Sequence, residues 1–210
     1  MAAFGFKPLR YQNGSAWNGA VIRCSVLSGI GNIFIGDSVI LAGTSSTSTV
    51  DGAILNDLAL AANAGRVYGV VTGIIPTVGT PNLNITYGAT GAYREVYVAL
   101  AEPALVFATT IDTAVLVSGA SAIQGTMYDV TATAGSTTTG LSAHVLAQAS
   151  VSTVSAGWLV IGVKNDPANL ATVGSVTANT SVVSTAAVPT IFEVVCTEPQ
   201  VAITQLGAGV

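Results

Sequence analysis

Apolar and polar residues alternate along much of this chain, and Val, Ile and Thr dominate its apolar stretches. Residues 93–100 show the pattern most clearly, because Val96, Val98 and Leu100 fall on one face and Glu95 on the other. A period of two residues is typical of a strand. Gly, Pro, Asn and Ser separate the β-branched stretches, and this arrangement predicts an all-β protein.

The same pattern predicts eight strands, at residues 20–27, 37–42, 67–75, 93–100, 105–110, 141–148, 158–164 and 191–197. The nearly continuous apolar run at 158–163 predicts a fully buried strand. Core contacts are expected from Val96, Val98 and Val160, with Leu159 or Ile161. Residues 53–62, rich in Ala and Leu, predict the one short helix. The Gly-rich residues 29–36 predict a hairpin, and the Ser/Thr-rich residues 43–50, 131–140 and 175–187 predict loops or sheet edges.

Together these elements predict a single β-barrel or β-sandwich domain over residues 20–210, preceded by an extended N-terminal arm at residues 1–19. The sequence shows no repeat of fixed length, so a solenoid or a propeller is not expected.

Charge is scarce, at 8% of residues against about a quarter in an ordinary domain. A free monomer with so few charges would be adhesive, so the composition favours a protein buried in an assembly. The formal net charge is −4 with no basic cluster, which argues against nucleic acid as a partner. Gly, Pro, Asn and Thr break the uncharged runs before they reach the ~20 apolar residues of a spanning helix, so no membrane partner is expected.

Two cysteines, Cys24 and Cys196, stand far apart in the sequence. The opening MAAFGFKPLR has no apolar stretch of the kind that follows the basic start of a signal peptide. We therefore expect synthesis in a reducing cytosol, with two separate buried thiols in place of a disulfide.

Catalytic chemistry finds little support. The single histidine, His144, lies in an alternating stretch and is expected on the outward face of a strand. No G-x-S-x-G motif presents a serine nucleophile, and one His with two distant Cys does not make a zinc site. The aspartates are scattered and are expected mostly in turns, where they bind local backbone amides. We expect no catalytic residue, no cofactor, no metal and no enzyme activity.

Aromatic and basic residues are concentrated instead at the N-terminus, in the run FGFKPLRYQNGSAWNG. Its candidate partner-binding residues are Phe4, Phe6, Lys7, Arg10, Tyr11 and Trp17. Aromatic residues and Arg dominate binding energies at protein interfaces, and Pro8 favours an extended arm. The run either docks on a neighbouring subunit or packs on its own β-core as a closing strand, and one arm could do both.

This run resembles the opening of a family of tailed-bacteriophage virion structural proteins, and IGDSVILAG, VYGVVTGIIP, YREVYVALAEPALVFATT and WLVIGVKNDPAN follow in that family's order. The resemblance implies a capsid decoration (cement) protein on the outer surface of the virion, made in the host bacterial cytoplasm. Its expected partners are the major capsid protein and further copies of itself, with a trimer favoured over a dimer. Alternatives are a head fibre or tail component, or a β-sandwich carbohydrate-binding or hydrolase module.

Overall fold

The computed structural model describes residues 4–61, 66–76, 86–91, 93–112, 116–117, 124–147, 150, 156–164, 182–183 and 191–200. This part of the chain is built from strands without an α-helix, which confirms the all-β prediction. The strands are β1 (Lys7–Tyr11), β2 (Ile22–Val26), β3 (Ser38–Thr47), β4 (Ile54–Leu60), β5 (Gly69–Ile75), β6 (Arg94–Leu100), β7 (Leu105–Thr109), β8 (Leu116–Val117), β9 (Met127–Tyr128), β10 (Val130–Thr131), β11 (Val145–Leu146), β12 (Trp158–Val163), β13 (Val182–Val183) and β14 (Phe192–Cys196).

Five of these strands close into a barrel in the order β2-β4-β3-β5-β6. All its pairings are antiparallel except β2 with β4. Inward-facing apolar residues fill the barrel, among them Cys24, Leu58, Val71, Val96 and Val98. Closure leaves no free edge among these strands, which protects a chain with few charges from edge-to-edge association.

The second main layer is a five-stranded antiparallel sheet in the order β1-β7-β14-β12-β9. Its core holds most of the large aromatic side chains, and Trp158 lies at their centre. Phe6 stacks on Trp158 at a centroid distance of 4.6 Å, and Phe107 meets the same ring edge-on at 5.2 Å. Two short two-stranded ladders, β10-β11 and β13-β8, complete the described pairings.

Residues 53–62 are not the predicted helix, because Ile54–Leu60 form β4 between β2 and β3. Pairing on both sides provides hydrogen-bond partners for the backbone N–H and C=O groups of β4. Such tertiary contacts override the helix propensity of Ala and Leu. Residues 29–36 are not a hairpin, since Ile33 bridges to Gly88 and Ile35 to Leu141. The predicted loop at 43–50 is strand as far as Thr47.

The predicted core is confirmed in Val96, Val98 and Val160, which are buried. Leu159 and Ile161 are only half-buried, so β12 alternates and is not the fully buried strand that its apolar sequence predicted. The two thiols lie in different apolar clusters, Cys24 in the barrel and Cys196 in the sheet core. Both cysteines are free, which confirms the absence of a disulfide between them.

We predict that a thiol reagent finds two groups per chain in denaturant without reductant. In the native protein both should react slowly, because burial raises the pKa of Cys24 to about 11 and that of Cys196 to about 12, and the thiolate is the reactive form. A spectrophotometric thiol titration with and without denaturant measures both. Fewer than two thiols in the denatured protein would contradict the structure.

Candidate functional site

A cavity of about 520 Å³ lies where the N-terminal run passes between the barrel and the five-stranded sheet. Four of the six predicted partner-binding residues line it: Phe4, Phe6, Lys7 and Trp17. Barrel residues such as Val71 and sheet residues such as Ala108 supply most of the remaining surface. We call this space the N-terminal cavity. Four of the predicted residues therefore lie at one cleft, and its walls come from the whole fold.

At the floor of the cavity, the backbone at residues 5–6 crosses close to the backbone at Gly36. The N–H of Phe6 donates to the carbonyl oxygen of Gly36 at 2.9 Å, and both Gly5 and Gly36 have positive φ, at 71° and 97°. A Cβ atom on Gly5 would collide with that Gly36 carbonyl oxygen and with Ser142, and one on Gly36 would collide with the carbonyl oxygen of Phe4. Only glycine satisfies both demands.

Phe6 itself is not available to a partner, since its side chain is 2% exposed within the sheet core. This corrects the prediction that Phe6 fills a pocket on a neighbouring subunit. Residues 7–11 likewise form β1, hydrogen-bonded to β7, in place of a separate arm. The closing-strand interpretation, which the sequence had left open, therefore describes this segment of the structure.

Arg10 also has a partner within the chain. Its Nη2 donates to Oε2 of Glu193 on β14 at 2.7 Å. Because the Arg10 side chain is 38% exposed, the pair contributes no more than about 1 kcal/mol to stability. Tyr11 packs against the sheet core and, with Trp17, lines a second cavity of about 90 Å³. The structure thus separates the predicted residues into core contacts and cavity lining.

Lys164 is the site residue that sequence reasoning missed. It follows β12 directly, and its backbone N–H donates to the carbonyl oxygen of Ile191, which places its side chain at the cavity with Lys7. These are the only two lysines in the chain. The sequence alone did not single out Lys164, because a lysine that follows a strand is ordinarily exposed to solvent. Only the pairing of β12 with β14 brings it beside the N-terminal run.

Beneath the cavity lies a buried polar group that contradicts the expected position of His144. The imidazole is buried, its Nδ1 accepts a hydrogen bond from the Ser38 N–H at 3.1 Å, and its Nε2 lies 3.4 Å from Oδ1 of Asp37. The Ser38 contact assigns the neutral ring proton to Nε2, facing the carboxyl. The hydroxyl of Ser142 accepts from the backbone N–H of His144, and that side chain is fully buried. Asp37, Ser142 and His144 therefore support the cavity floor, and the buried hydroxyl of Ser142 is not accessible to a substrate.

Burial shifts both ionisable members of this group toward their neutral forms. It raises the pKa of Asp37 to about 6, although hydrogen bonds from Ser142 and from the Phe34 amide oppose part of the shift. It lowers the pKa of His144 to about 4. In a low-dielectric site, burying the neutral form of each group costs less free energy than burying the charged form.

A second buried polar group lies on the barrel face opposite the apolar core. Ser25 on β2 pairs with Asp57 on β4 and with Glu95 on β6. The hydroxyls of Ser25 and Thr44 each donate to Asp57 at 2.7 Å, and that of Ser48 donates to Glu95 at 2.8 Å. The Ser/Thr-rich stretch thus covers two carboxylates. Asp57 lies in a strand, unlike the turns in which most of the aspartates were expected.

Burial alone would raise the pKa of Asp57, yet hydrogen bonds from the side chains of Ser46, Ser25 and Thr44 outweigh it and hold the pKa below its usual value. The carboxylate therefore stays charged under the hydroxyls that satisfy it. These hydrogen bonds hold the later part of β3 against the barrel. None of the residues that make them lines the N-terminal cavity.

Among the residues that the structure describes, no group of three or more His, Cys, Asp or Glu side chains is placed to hold a metal ion. In the same part of the chain, none of the elements is a helix with the length and apolarity needed to cross a membrane.

No protein-family model matches the chain, and neither a curated protein nor a solved structure is significantly similar to it. The function of the N-terminal cavity must therefore be argued from its own shape and chemistry.

We predict that Asp37 and His144 impose opposite pH dependences on the free energy of unfolding. The two dependences nearly cancel in the native chain. Asp37, with its pKa raised above the unfolded value of 3.8, adds stability as pH falls from about 6 toward 4. His144, with its pKa lowered from 6.5, loses stability as pH falls from about 6.5 toward 4. Each contribution is on the order of 3 kcal/mol across its window.

The test measures the free energy of unfolding of Asp37→Asn and His144→Gln by denaturant titration between pH 4 and pH 7. Relative to the native sequence, Asp37→Asn should become less stable as pH falls, because the His144 loss is no longer offset. His144→Gln should become relatively more stable over the same range. Parallel curves for both variants would show that the buried pair does not titrate as the geometry requires.

Proposed function

We propose that this protein is a phage capsid decoration (cement) protein, which binds the shell of the major capsid protein and stabilises the expanded head. The observation that carries the proposal is the N-terminal cavity. The run that resembles phage virion proteins is the run that lines this cleft, with Phe4, Lys7 and Trp17 at its surface. A concave, mostly apolar site with a few polar groups is typical of a binding site.

The mechanism is adhesion. A protein that binds the expanded shell and not its precursor stabilises the expanded form by mass action, without any chemical step. Each bound copy adds buried apolar surface at the seams between capsid subunits. Repetition of that contact over the shell multiplies a modest free energy per copy.

Surface composition supports a permanent place in an assembly. Large apolar side chains stand exposed on the barrel, notably Ile54 at 78% and Val50 at 52%. Monomers seldom leave such side chains together in water without a partner. We therefore infer a homo-oligomer on the virion, and the trimer that the resemblance favours over a dimer stays a prediction.

Deleting residues 2–11, which the sequence alone presents as a removable arm, is not a clean test of this function. The deletion removes a strand from the sheet and takes Phe6 away from Trp158. Loss of a buried Phe side chain alone costs about 3–5 kcal/mol. Variants at the cavity surface separate binding from folding.

We predict that Leu141→Asp strongly weakens binding to expanded shells that lack this protein, while Leu27→Asp does not. The two leucines are almost equally exposed, at 37% and 36%, but only Leu141 lines the N-terminal cavity. A carboxylate placed in an apolar contact leaves an uncompensated charge on binding, so we expect at least a tenfold loss of affinity. Co-sedimentation with shells measures it, and thermal unfolding confirms that both variants fold.

Equal binding by both leucine variants would remove the cavity as the contact surface. Failure of the native protein to bind expanded shells at all would refute the decoration function. In that case a mass-spectrometric inventory of purified virions, with copy number relative to the major capsid protein, would show whether the chain is another virion component.

A further inference from the structure

The second cavity, of about 90 Å³, combines two aromatic rings with one acidic residue. Tyr11 and Trp17 line it together with Glu102. The rest of its lining is apolar and includes Val21 and Ile22, whose side chains are exposed to solvent. Trp17 also lines the N-terminal cavity, so the two cavities adjoin at this residue and form one surface along the N-terminal run.

The side chain of Glu102 is exposed and takes part in none of the hydrogen bonds or ion pairs found in the described part of the chain. Asp51, Asp57 and Glu193, in contrast, each bind a hydroxyl or a guanidinium group of the same chain. The Glu102 carboxylate is therefore available to a cation that comes from outside the chain.

Hydrogen bonds from Gln12 hold the walls of the second cavity in place. Its backbone N–H donates to the carbonyl oxygen of Ala104 at 2.8 Å, and its Nε2 donates to the carbonyl oxygen of Pro103 at 2.6 Å. These two bonds tie the N-terminal run to the turn that follows Glu102. A site that is formed before binding needs little further ordering when a partner arrives, which favours affinity.

We propose that the second cavity binds an arginine or lysine side chain of the capsid shell protein. The cationic head of that side chain pairs with the Glu102 carboxylate and lies against the rings of Tyr11 and Trp17, while its apolar stem packs on Val21 and Ile22. A volume of about 90 Å³ is well below the roughly 300–1,000 Å³ of a small-molecule site and suits a single side chain. This inference rests on the decoration function proposed above and adds a second contact to that of the N-terminal cavity.

Charge complementarity selects a cationic side chain over a neutral or an acidic one. An acidic side chain would be repelled by the Glu102 carboxylate, and a neutral apolar one would desolvate the carboxylate without giving it a hydrogen bond. The formal net charge of −4 also attracts a basic surface at longer range, and such attraction raises the association rate.

The test compares Glu102→Gln with Asp112→Asn, because each change removes one exposed carboxylate and only Glu102 lines the cavity. The new Asn can still accept the hydrogen bond that the Thr131 hydroxyl donates to Asp112. In co-sedimentation at low salt, Glu102→Gln should bind expanded shells about tenfold more weakly than the native protein, and its affinity should depend less on salt. Asp112→Asn should bind normally, and Glu102→Lys should bind more weakly than Glu102→Gln because it places like charges together.

Thermal unfolding and analytical ultracentrifugation of Glu102→Gln separate the remaining outcomes. The variant should unfold at the native temperature and keep the native oligomeric state. A lower unfolding temperature would show that the carboxylate acts within its own chain, and a lost oligomer would show that its partner is a second copy; either result would overturn the inference. Native shell affinity and salt dependence in Glu102→Gln would also refute it and leave the decoration function standing, whereas no binding by the native protein would refute the function itself.

Discussion

One residue, Phe6, joins the two halves of this protein. Its ring stacks on Trp158 in the core of the five-stranded sheet, while its backbone N–H binds the Gly36 carbonyl oxygen on the barrel side. The crossing is possible only because Gly5 and Gly36 lack side chains. It positions β1 as an edge strand, and it creates the cavity on the solvent side of the N-terminal run. The predicted docking arm is therefore a structural element whose residues also line the N-terminal cavity.

Several of the few ionisable side chains of this protein are buried within it. Asp37, Asp57, Glu95, Arg94 and His144 are all buried. Arg94 alone donates to four backbone carbonyl oxygens, in the 27–31 loop and at Gly88, and so closes the barrel end that this loop covers. Buried hydrogen-bonded charges specify one arrangement of loops at a cost in desolvation. Their burial leaves the surface still poorer in charge, which is consistent with a protein that functions within a larger assembly.

Part of the candidate site was predictable. The clustering of aromatic and basic residues in FGFKPLRYQNGSAWNG marked the N-terminal run as exceptional, and six of its residues line the cavity. The roles within the run were not predictable, because Phe6 and Phe4 have the same side chain and differ only in what the fold places against them. Lys164 lies 157 residues from Lys7 in the sequence (164 − 7), and only strand pairing brings both to one cleft.

The sequence by itself determined the all-β class, most strand positions and the two separate thiols, because alternation and turn residues act locally. Tertiary structure alone decided that residues 54–60 form a strand, since ladders on both sides outweigh helix propensity. It also decided that His144 is buried against Asp37, and that the hydroxyls of residues 44–48 cover two carboxylates. In each case the partner lies on a different strand or loop, so the energy that fixes the residue comes from contacts that no local pattern contains.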